Sequence, residues 1–266
     1  MEANGKNPEK FVVAIIPARY ESTRLEGKLL LPLNGKPLIL HTLEKANKVA
    51  CISRTIVATD DERILRVVQE GGGEAVMTSA EHQSGSDRIA EVAEKLPEGA
   101  IVVNVQGDEP LISPKTIETA VEAILEDELA QVSTTCEMIS DIKDVLNPDV
   151  VKVVTDKNGF ALYFSRSPIP LPRDEVKKHG SLESALEADE DLINFYRKHM
   201  GLYVYRREFL LEFTRTPQTS LETIEMLEQL RALEMGAKIK VVEVEDSSIG
   251  IDTKEDFERV KSILES

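Results

Sequence analysis

Phe11-Val12-Val13-Ala14-Ile15-Ile16 is a short run of mostly β-branched residues that ends at Pro17 and a polar loop instead of alternating into a hairpin. A strand that is apolar on both faces must be covered on both faces, so the run predicts a buried parallel strand in a layered α/β chain. The rhythm continues. Pro37 opens a helix carrying Leu38, Leu43 and Ala46, and Thr55 to Ala58 is the next strand. Asp60 caps a helix through Ile64, Val67 and Val68 that stops at Gly71-Gly72-Gly73, and Ala75 to Met77 is a third strand. A helix over Ser86–Lys95 leads to the strand Ile101 to Val105, and a helix through Ile117, Val121 and Ile124 leads to a strand-like segment at Val132 to Cys136.

The pattern then changes. Val151, Val153 and Val154 face Phe160, Leu162 and Phe164 across the turn tetrapeptide Asp156-Lys157-Asn158-Gly159, which predicts a β-hairpin inserted in the sheet. Pro168 to Asp191, rich in proline and charge, reads as a mobile or partner-facing excursion. Leu202 to Tyr205 is a strand, and Leu221 to Met235 a helix with the core stripe Leu221, Ile224, Leu227 and Leu230 and with Met226 in packing. Ile239 to Val244 and Thr253 to Leu264 supply a last strand and helix.

Composition excludes several classes. With 48 acidic and 32 basic side chains the net charge is −16, which argues against a broad nucleic-acid-binding face. No apolar stretch approaches the roughly 20 residues needed to span a membrane, and Met1 to Lys10 is a short polar leader that resembles no signal or anchor. Cys51 and Cys136 lie far apart, which fits reduced, packed thiols and a cytoplasmic protein, and the histidines at 41, 82, 179 and 199 lack zinc-site spacing.

Ligands of an α/β sheet bind where loops leave the carboxyl ends of its strands. After the first strand, Arg19, Arg24 and Lys28 stand with Ser22, Thr23 and Gly27, as an oligophosphate requires, although a solvated charged turn reads the same locally. After Ile101 to Val105, Asp108 of Gln106-Gly107-Asp108-Glu109-Pro110 is a natural Mg²⁺ ligand, while Glu109 shapes the turn. Asp252, seen locally, is the N-cap of the last helix. Ser84 or Ser86 caps the helix before which Gly85 lets a ligand approach, and Asp87 and Arg88 are either site residues or first-turn surface charges.

In order, these segments resemble the 3-deoxy-D-manno-octulosonate cytidylyltransferase family. The resemblance is carried by Ile15-Ile16-Pro17-Ala18-Arg19-Tyr20, Ser22-Thr23-Arg24-Leu25, Asn34-Gly35-Lys36-Pro37, Val57-Ala58-Thr59-Asp60, His82-Gln83-Ser84-Gly85, Asn104 to Pro110, Tyr163-Phe164-Ser165-Arg166, His199 to Tyr203, Ile224 to Arg231 and Asp252-Thr253. It implies a nucleotidyltransferase-type, Rossmann-like mixed sheet flanked by helices, with an inserted β-hairpin and a dimerisation excursion. It implies one domain over 11–266, with a nucleotide-binding half at about 11–135, a sugar-acid-binding and dimerisation portion at about 136–235 and a closing strand and helix at about 236–266.

The implied reaction joins CTP to a 2-keto-3-deoxy sugar acid, giving the CMP-linked sugar for lipopolysaccharide biosynthesis and pyrophosphate, with Mg²⁺ as cofactor and a homodimer as the assembly. The resemblance assigns catalysis to Lys28, Asp108 and Asp252 and the metal to the two aspartates, reversing the local reading of Asp252. Arg19, Ser22, Arg24 and Lys28 would hold the triphosphate, and Pro17, Ala18, Ser84, Gly85 and Arg88 the cytosine and ribose. Gln106, Arg166, His199, Tyr203, Glu228 and Gln229 would face the sugar acid, Arg166 suiting its carboxylate. Two departures stand out: the family usually has proline where this chain has Glu26, and often where it has Leu30, which predicts a less rigid and more negative phosphate loop. The rival readings are a cytidylyltransferase for 8-amino-octulosonate or neuraminate-type acids, a sugar-1-phosphate nucleotidyltransferase, and a non-catalytic nucleotide-binding protein.

Overall fold

The opening apolar run forms β1 (Val12–Ala18), buried at every position except Pro17, as expected of a strand covered on both faces. The computed structural model describes residues 11–21, 25–246 and 248–265. The polar leader Met1 to Lys10 lies outside the described residues, as do Ser22, Thr23 and Arg24.

Past a one-turn 3₁₀ helix at Lys28–Leu30, the two-residue strands β2 (Pro32–Leu33) and β3 (Lys36–Pro37) pair across Asn34 and Gly35, both at positive φ. Then come α1 (Leu38–Asn47), β4 (Arg54–Thr59), α2 (Glu62–Glu70), β5 (Glu74–Met77), α3 (Gly85–Ala93), β6 (Ile101–Asn104) and α4 (Pro114–Glu126). Next are β7 (Val132–Met138), α5 (Ile142–Leu146), β8 (Lys152–Thr155), β9 (Ala161–Ser165), α6 (Arg173–His179) and α7 (Leu182–Ala188). The chain finishes with β10 (Arg197–Arg206), α8 (Arg207–Arg215), α9 (Ser220–Glu225), α10 (Gln229–Glu234), β11 (Ile239–Glu243) and α11 (Lys254–Glu265). Among the described residues no helix is long and apolar enough to cross a membrane.

The chain divides into two compact units, Met1–Val121 with Leu202–Arg215 and Ser248–Ser266, and Glu122–Gly201 with Thr216–Ser247. These bounds differ from the contiguous portions expected at about 135 and 235, because the end of β10, α8 and α11 belong with the first unit.

In the first unit the strand order is β10-β6-β1-β4-β5, with β1 parallel to β4 and β6, β4 parallel to β5, and β10 antiparallel to β6. The chain runs from β1 outward through β4 and β5, then crosses back to place β6 on the other side of β1. The crevice between the carboxyl ends of β1 and β6 is therefore a topological switch point.

In the second unit β11 runs parallel to β7, and β8 and β9 form the expected antiparallel hairpin around Asp156–Gly159, with Asp156 Oδ1 accepting from Asn158 N and Phe160 N. A small core of Ile139, Val145, Leu186 and Tyr196 underlies α5 and α7, so the charged excursion carries packed helices. Cys136 is buried and Cys51 partly so, both as free thiols, and burial raises Cys136 to about 12.

Three local expectations are corrected, and of the two caps offered for α3 one is selected. The cap of α2 is Asp61, whose carboxylate accepts from Arg63 N at 2.8 Å; Asp60 is engaged elsewhere. The cap of α3 is Ser84, in a capping box with Asp87, so Asp87 is no free surface charge. The last helix is capped not by Asp252 but by Thr253, whose hydroxyl accepts from Asp256 N at 3.1 Å while Asp256 takes Thr253 N–H back at 2.9 Å. The single helix expected over Leu221–Met235 is two, α9 and α10, separated at Met226 in the left-handed region at φ 53°. Leu227 and Leu230 are buried, but Ile224 and Met226 are 80% and 75% exposed and Leu221 is also exposed, so half of the expected stripe faces outward.

Candidate active site

The carboxyl ends of β1 and β6 open into a cavity of about 370 Å³ lined by Pro17, Arg19, Glu21, Lys28, Leu29, Gln83, Ser84, Gly85, Gln106, Gly107, Asp108 and Asp252. Of the residues expected to serve catalysis and the nucleotide, it gathers Lys28, Asp108, Asp252, Pro17, Arg19, Ser84 and Gly85, together with Gln106 of the acceptor set. Ala18 is buried at the end of β1 behind that lining. Ser22 and Arg24 lie outside the described residues. Glu21, Leu29 and Gln83 line the cavity without having been singled out, since nothing in their side chains marks them from the sequence.

Each wall has a local cause. Gly27, at φ 64°, precedes Lys28, and a Cβ there would meet the Tyr20 ring at 3.0 Å, so glycine is required both for conformation and for space. Gly107 is held by Thr42 Oγ1 on its carbonyl at 3.0 Å, and a Cβ on it would stand 3.2 Å from Pro17 O and from Ile39 Cδ1. The absence of a side chain lets the β6 loop close onto β1. Arg19 reaches over to the carbonyls of His82 and, at 3.2 Å, Ser84, tying the β1 loop to the entry of α3. The N-terminus of α3 thus reaches the cavity at Ser84 and Gly85, where backbone N–H groups and the helix dipole favour an anion.

At the centre, Lys28 Nζ lies 2.5 Å from Asp108 Oδ2, 2.8 Å from Asp252 Oδ1 and 2.8 Å from the carbonyl of Ile251. The Asp108 and Asp252 loops are locked together by Ile251 N donating to Asp108 O at 2.9 Å. Burial alone would lower the Lys28 pKa, but Asp108 and then Asp252 outweigh it and hold the ammonium above its ordinary value. Among the described lining residues Arg19 and Lys28 are cationic and Glu21, Asp108 and Asp252 anionic, a local balance of −1. The described lining alone cannot neutralise a triphosphate. Two carboxylates whose oxygens converge on a single cation are the donor set that magnesium uses beside substrate phosphates, so these residues fit that ion.

Arg88, expected at the base or ribose, is fully buried outside the cavity lining. Its guanidinium donates to Asp60 Oδ2 and Thr78 Oγ1 at 2.5 Å each and pins α3 to the ends of β4 and β5.

In the second unit Arg166 follows β9. Its Nε donates to the Glu225 carbonyl at 2.6 Å, its Nη1 to Pro148 O at 3.0 Å and its Nη2 to Met226 O at 3.3 Å, while Glu225 accepts from Arg166 N and Ser165 Oγ. Beneath it Lys152, fully buried, gives Nζ to the carbonyls of Asn147, Val150 and Arg166 at 2.9, 2.6 and 2.6 Å. A lysine between valines reads as the outward residue of a strand, so this burial has no signal in the sequence.

Glu228 lies 3.4 Å from Arg231, and Gln229 is buried at the start of α10. His199 on β10 stands edge-on to Phe164 and 2.9 Å from Thr134 Oγ1. Burial pushes His199 down to about 3, and although the residue keeps some exposed surface the ring is neutral near pH 7. In the first unit Tyr203 stacks on Tyr205.

A switch-point cavity with a lysine, two convergent carboxylates and a helix N-terminus suits a nucleotidyltransferase. The sequence pattern of the family described as "Cytidylyltransferase" matches residues 13–239. A 3-deoxy-manno-octulosonate cytidylyltransferase of Trichlorobacter lovleyi is 52% identical over 250 residues, 94% of this chain and 97% of its own length. One of Geotalea daltonii is 51% identical over 249 residues, 94% and 96% of the two chains. The structure of a CMP:2-keto-3-deoxy-manno-octonic acid synthetase complexed with CTP superimposes with a TM-score of 0.86 at 40% identity, covering 96% of this chain and 99% of that one. A 4-diphosphocytidyl-2C-methyl-D-erythritol synthase from Anaerococcus prevotii, 17% identical, shares the fold with a TM-score of 0.64 over 97% of this chain and 100% of its own. The chain belongs to the 3-deoxy-manno-octulosonate cytidylyltransferase family.

Proposed function

We propose that this chain transfers the cytidylyl group of CTP to the anomeric hydroxyl of 3-deoxy-D-manno-octulosonate, for lipopolysaccharide biosynthesis. The bond from that oxygen to the α-phosphorus forms, the bond to the bridging oxygen of the β-phosphate breaks, and pyrophosphate leaves. The observation that carries the reading is the meeting of Lys28, Asp108 and Asp252 at the switch point.

Asp108 and Asp252 would hold magnesium, which supplies positive charge at the α-phosphate and acidifies the attacking hydroxyl. Lys28 and Arg19 bind the triphosphate, Ser84 and Gly85 bind the nucleoside, and Gln106 faces the acceptor. The acceptor hydroxyl is itself the nucleophile, so positioning and charge neutralisation carry the catalysis. His199 and Tyr203 offer hydrogen bonds to sugar hydroxyls. A neutral, half-buried His199 beside Thr134 fits that better than a base.

Pyrophosphate release with each nucleoside triphosphate and a panel of sugar acids tests the reading. CTP with the octulosonate is expected to be best, UTP poorer, and ATP and GTP very poor. Equal release with all four removes the claim of cytosine specificity, and preference for the 8-amino acid would reassign the acceptor.

Arg166 is assigned to the acceptor carboxylate. Its present partners are backbone carbonyls, which a carboxylate outcompetes for a guanidinium. Arg166→Ala is expected to weaken acceptor use by about 2–3 kcal/mol while calorimetry finds CTP affinity near native. An equal loss of CTP affinity would give Arg166 to the nucleotide.

A homodimer and a cytoplasmic setting complete the proposal. Exposed Leu171 and Phe195 beside Pro170 and Pro172 form an apolar surface that supports self-association, and free thiols suit a reducing compartment.

A further inference from the structure

We infer that Lys28 is an internal counter-ion that competes with the divalent cation for Asp108 and Asp252, so that the protein admits the metal together with the nucleotide and not before it. The inference rests on the assignment of those two aspartates to the metal.

The geometry is that of a cation site already filled. Nζ of Lys28 takes one oxygen from each carboxylate and the carbonyl of Ile251, all within 2.8 Å. An ammonium and a divalent ion cannot share those oxygens at that distance without strong repulsion. The site is also only partly screened: the Lys28 side chain is 12% exposed, against 26% for Asp108 and 43% for Asp252. A metal entering alone must strip the lysine from both partners and leave a half-buried ammonium with one carbonyl, an unfavourable exchange.

A triphosphate changes the exchange. Its oxygens give Lys28 new anionic partners in the same cavity and offer the metal its remaining oxygen ligands. The lysine moves from carboxylates to phosphate as the metal takes its place. In this account Lys28 has two partners in turn, whereas a lysine serving only as a phosphate contact would leave the affinity of the nucleotide-free protein for metal untouched.

Manganese binding to the nucleotide-free full-length protein, read by the loss of free-ion paramagnetic resonance signal, separates these cases. Wild type is expected to bind Mn²⁺ weakly, and Lys28→Met to bind it roughly tenfold more tightly or better, because the carboxylates lose their resident cation. Lys28→Gln, one atom shorter but polar and uncharged, is expected to behave the same way and serves if the methionine variant folds poorly. Adding Asp108→Asn to either variant is expected to abolish the gain.

Tight manganese binding by the wild-type protein without nucleotide overturns the inference without any variant. So does a manganese affinity in both lysine variants no better than wild type. If Asp108→Asn leaves manganese binding of Lys28→Met unchanged, the metal assignment itself fails. If Asp108→Asn removes that binding but Lys28→Met did not improve it, only the counter-ion role is lost.

Discussion

Asp108→Asn and Asp252→Asn are each expected to cut turnover about a thousandfold, close to 4 kcal/mol of transition-state stabilisation, at saturating magnesium. The double variant is expected to be scarcely slower than either single one, because both carboxylates serve one ion and act as a unit. Stability should move little. Both side chains are partly exposed, and a screened contact to Lys28 is worth about 1 kcal/mol or less. Two bare carboxylates would repel, and removing one could then raise stability; here Lys28 lies between them and offsets the repulsion, so no gain is expected. Steady-state rates and melting temperatures decide the matter. Near-native turnover of Asp252→Asn at high magnesium would leave Asp252 as a partner of Lys28 alone. The alternative role of helix cap is already taken by Thr253.

Much of this site is legible in the chain because its signals are local. A β-branched run ending in Pro17, a glycine before Lys28 and Gly107 before Asp108 each state a backbone requirement within a few residues, and the resemblance puts them in order. Some of the misreadings occur where a distant partner decides. Asp60 and Asp61 are equivalent caps by sequence, and Asp60 is removed from the choice by Arg88, 28 positions away. Thr253-Lys254-Glu255-Asp256 did carry a capping-box pattern that identifies the true cap, and it outranks Asp252 on spacing alone. Nothing local foretells the break at Met226. Methionine has no preference for positive φ, and the spacing of Leu221, Ile224, Leu227 and Leu230 satisfies one continuous helix. The break is held by Leu227 N on Glu222 O at 3.1 Å, by Arg166 on the Met226 carbonyl, and by an ion pair between the two short helices.

That ion pair should be the most sensitive point of the second unit. Arg231 on α10 meets Glu222 on α9 in a bidentate fork, Nε to Oε2 at 2.8 Å and Nη2 to Oε1 at 2.6 Å, with both side chains under 8% exposed. Arg231 Nη1 also donates to Thr216 O, and Glu222 takes the N–H of Thr219 in the capping box of α9. Arg231→Met leaves a buried carboxylate without its cation and is expected to cost about 3–5 kcal/mol. For a chain of this size that is roughly 6–20 °C of melting temperature. Glu222→Leu should be comparably harmful, while the pair Glu222→Leu with Arg231→Met should lose less than the two separate losses combined, because no charge is then stranded. The double variant will still fall short of wild type, since Thr219 N–H loses its cap, worth about 1 kcal/mol. Function should follow the geometry. The pair fixes the two ends of the break whose carbonyls, at Glu225 and Met226, hold the Arg166 guanidinium. At a temperature where Arg231→Met remains folded, the KM for the sugar acid is therefore expected to rise while that for CTP stays near native. An unchanged melting temperature would show that the fork contributes nothing to stability, and an unchanged acceptor KM would separate the break from acceptor recognition.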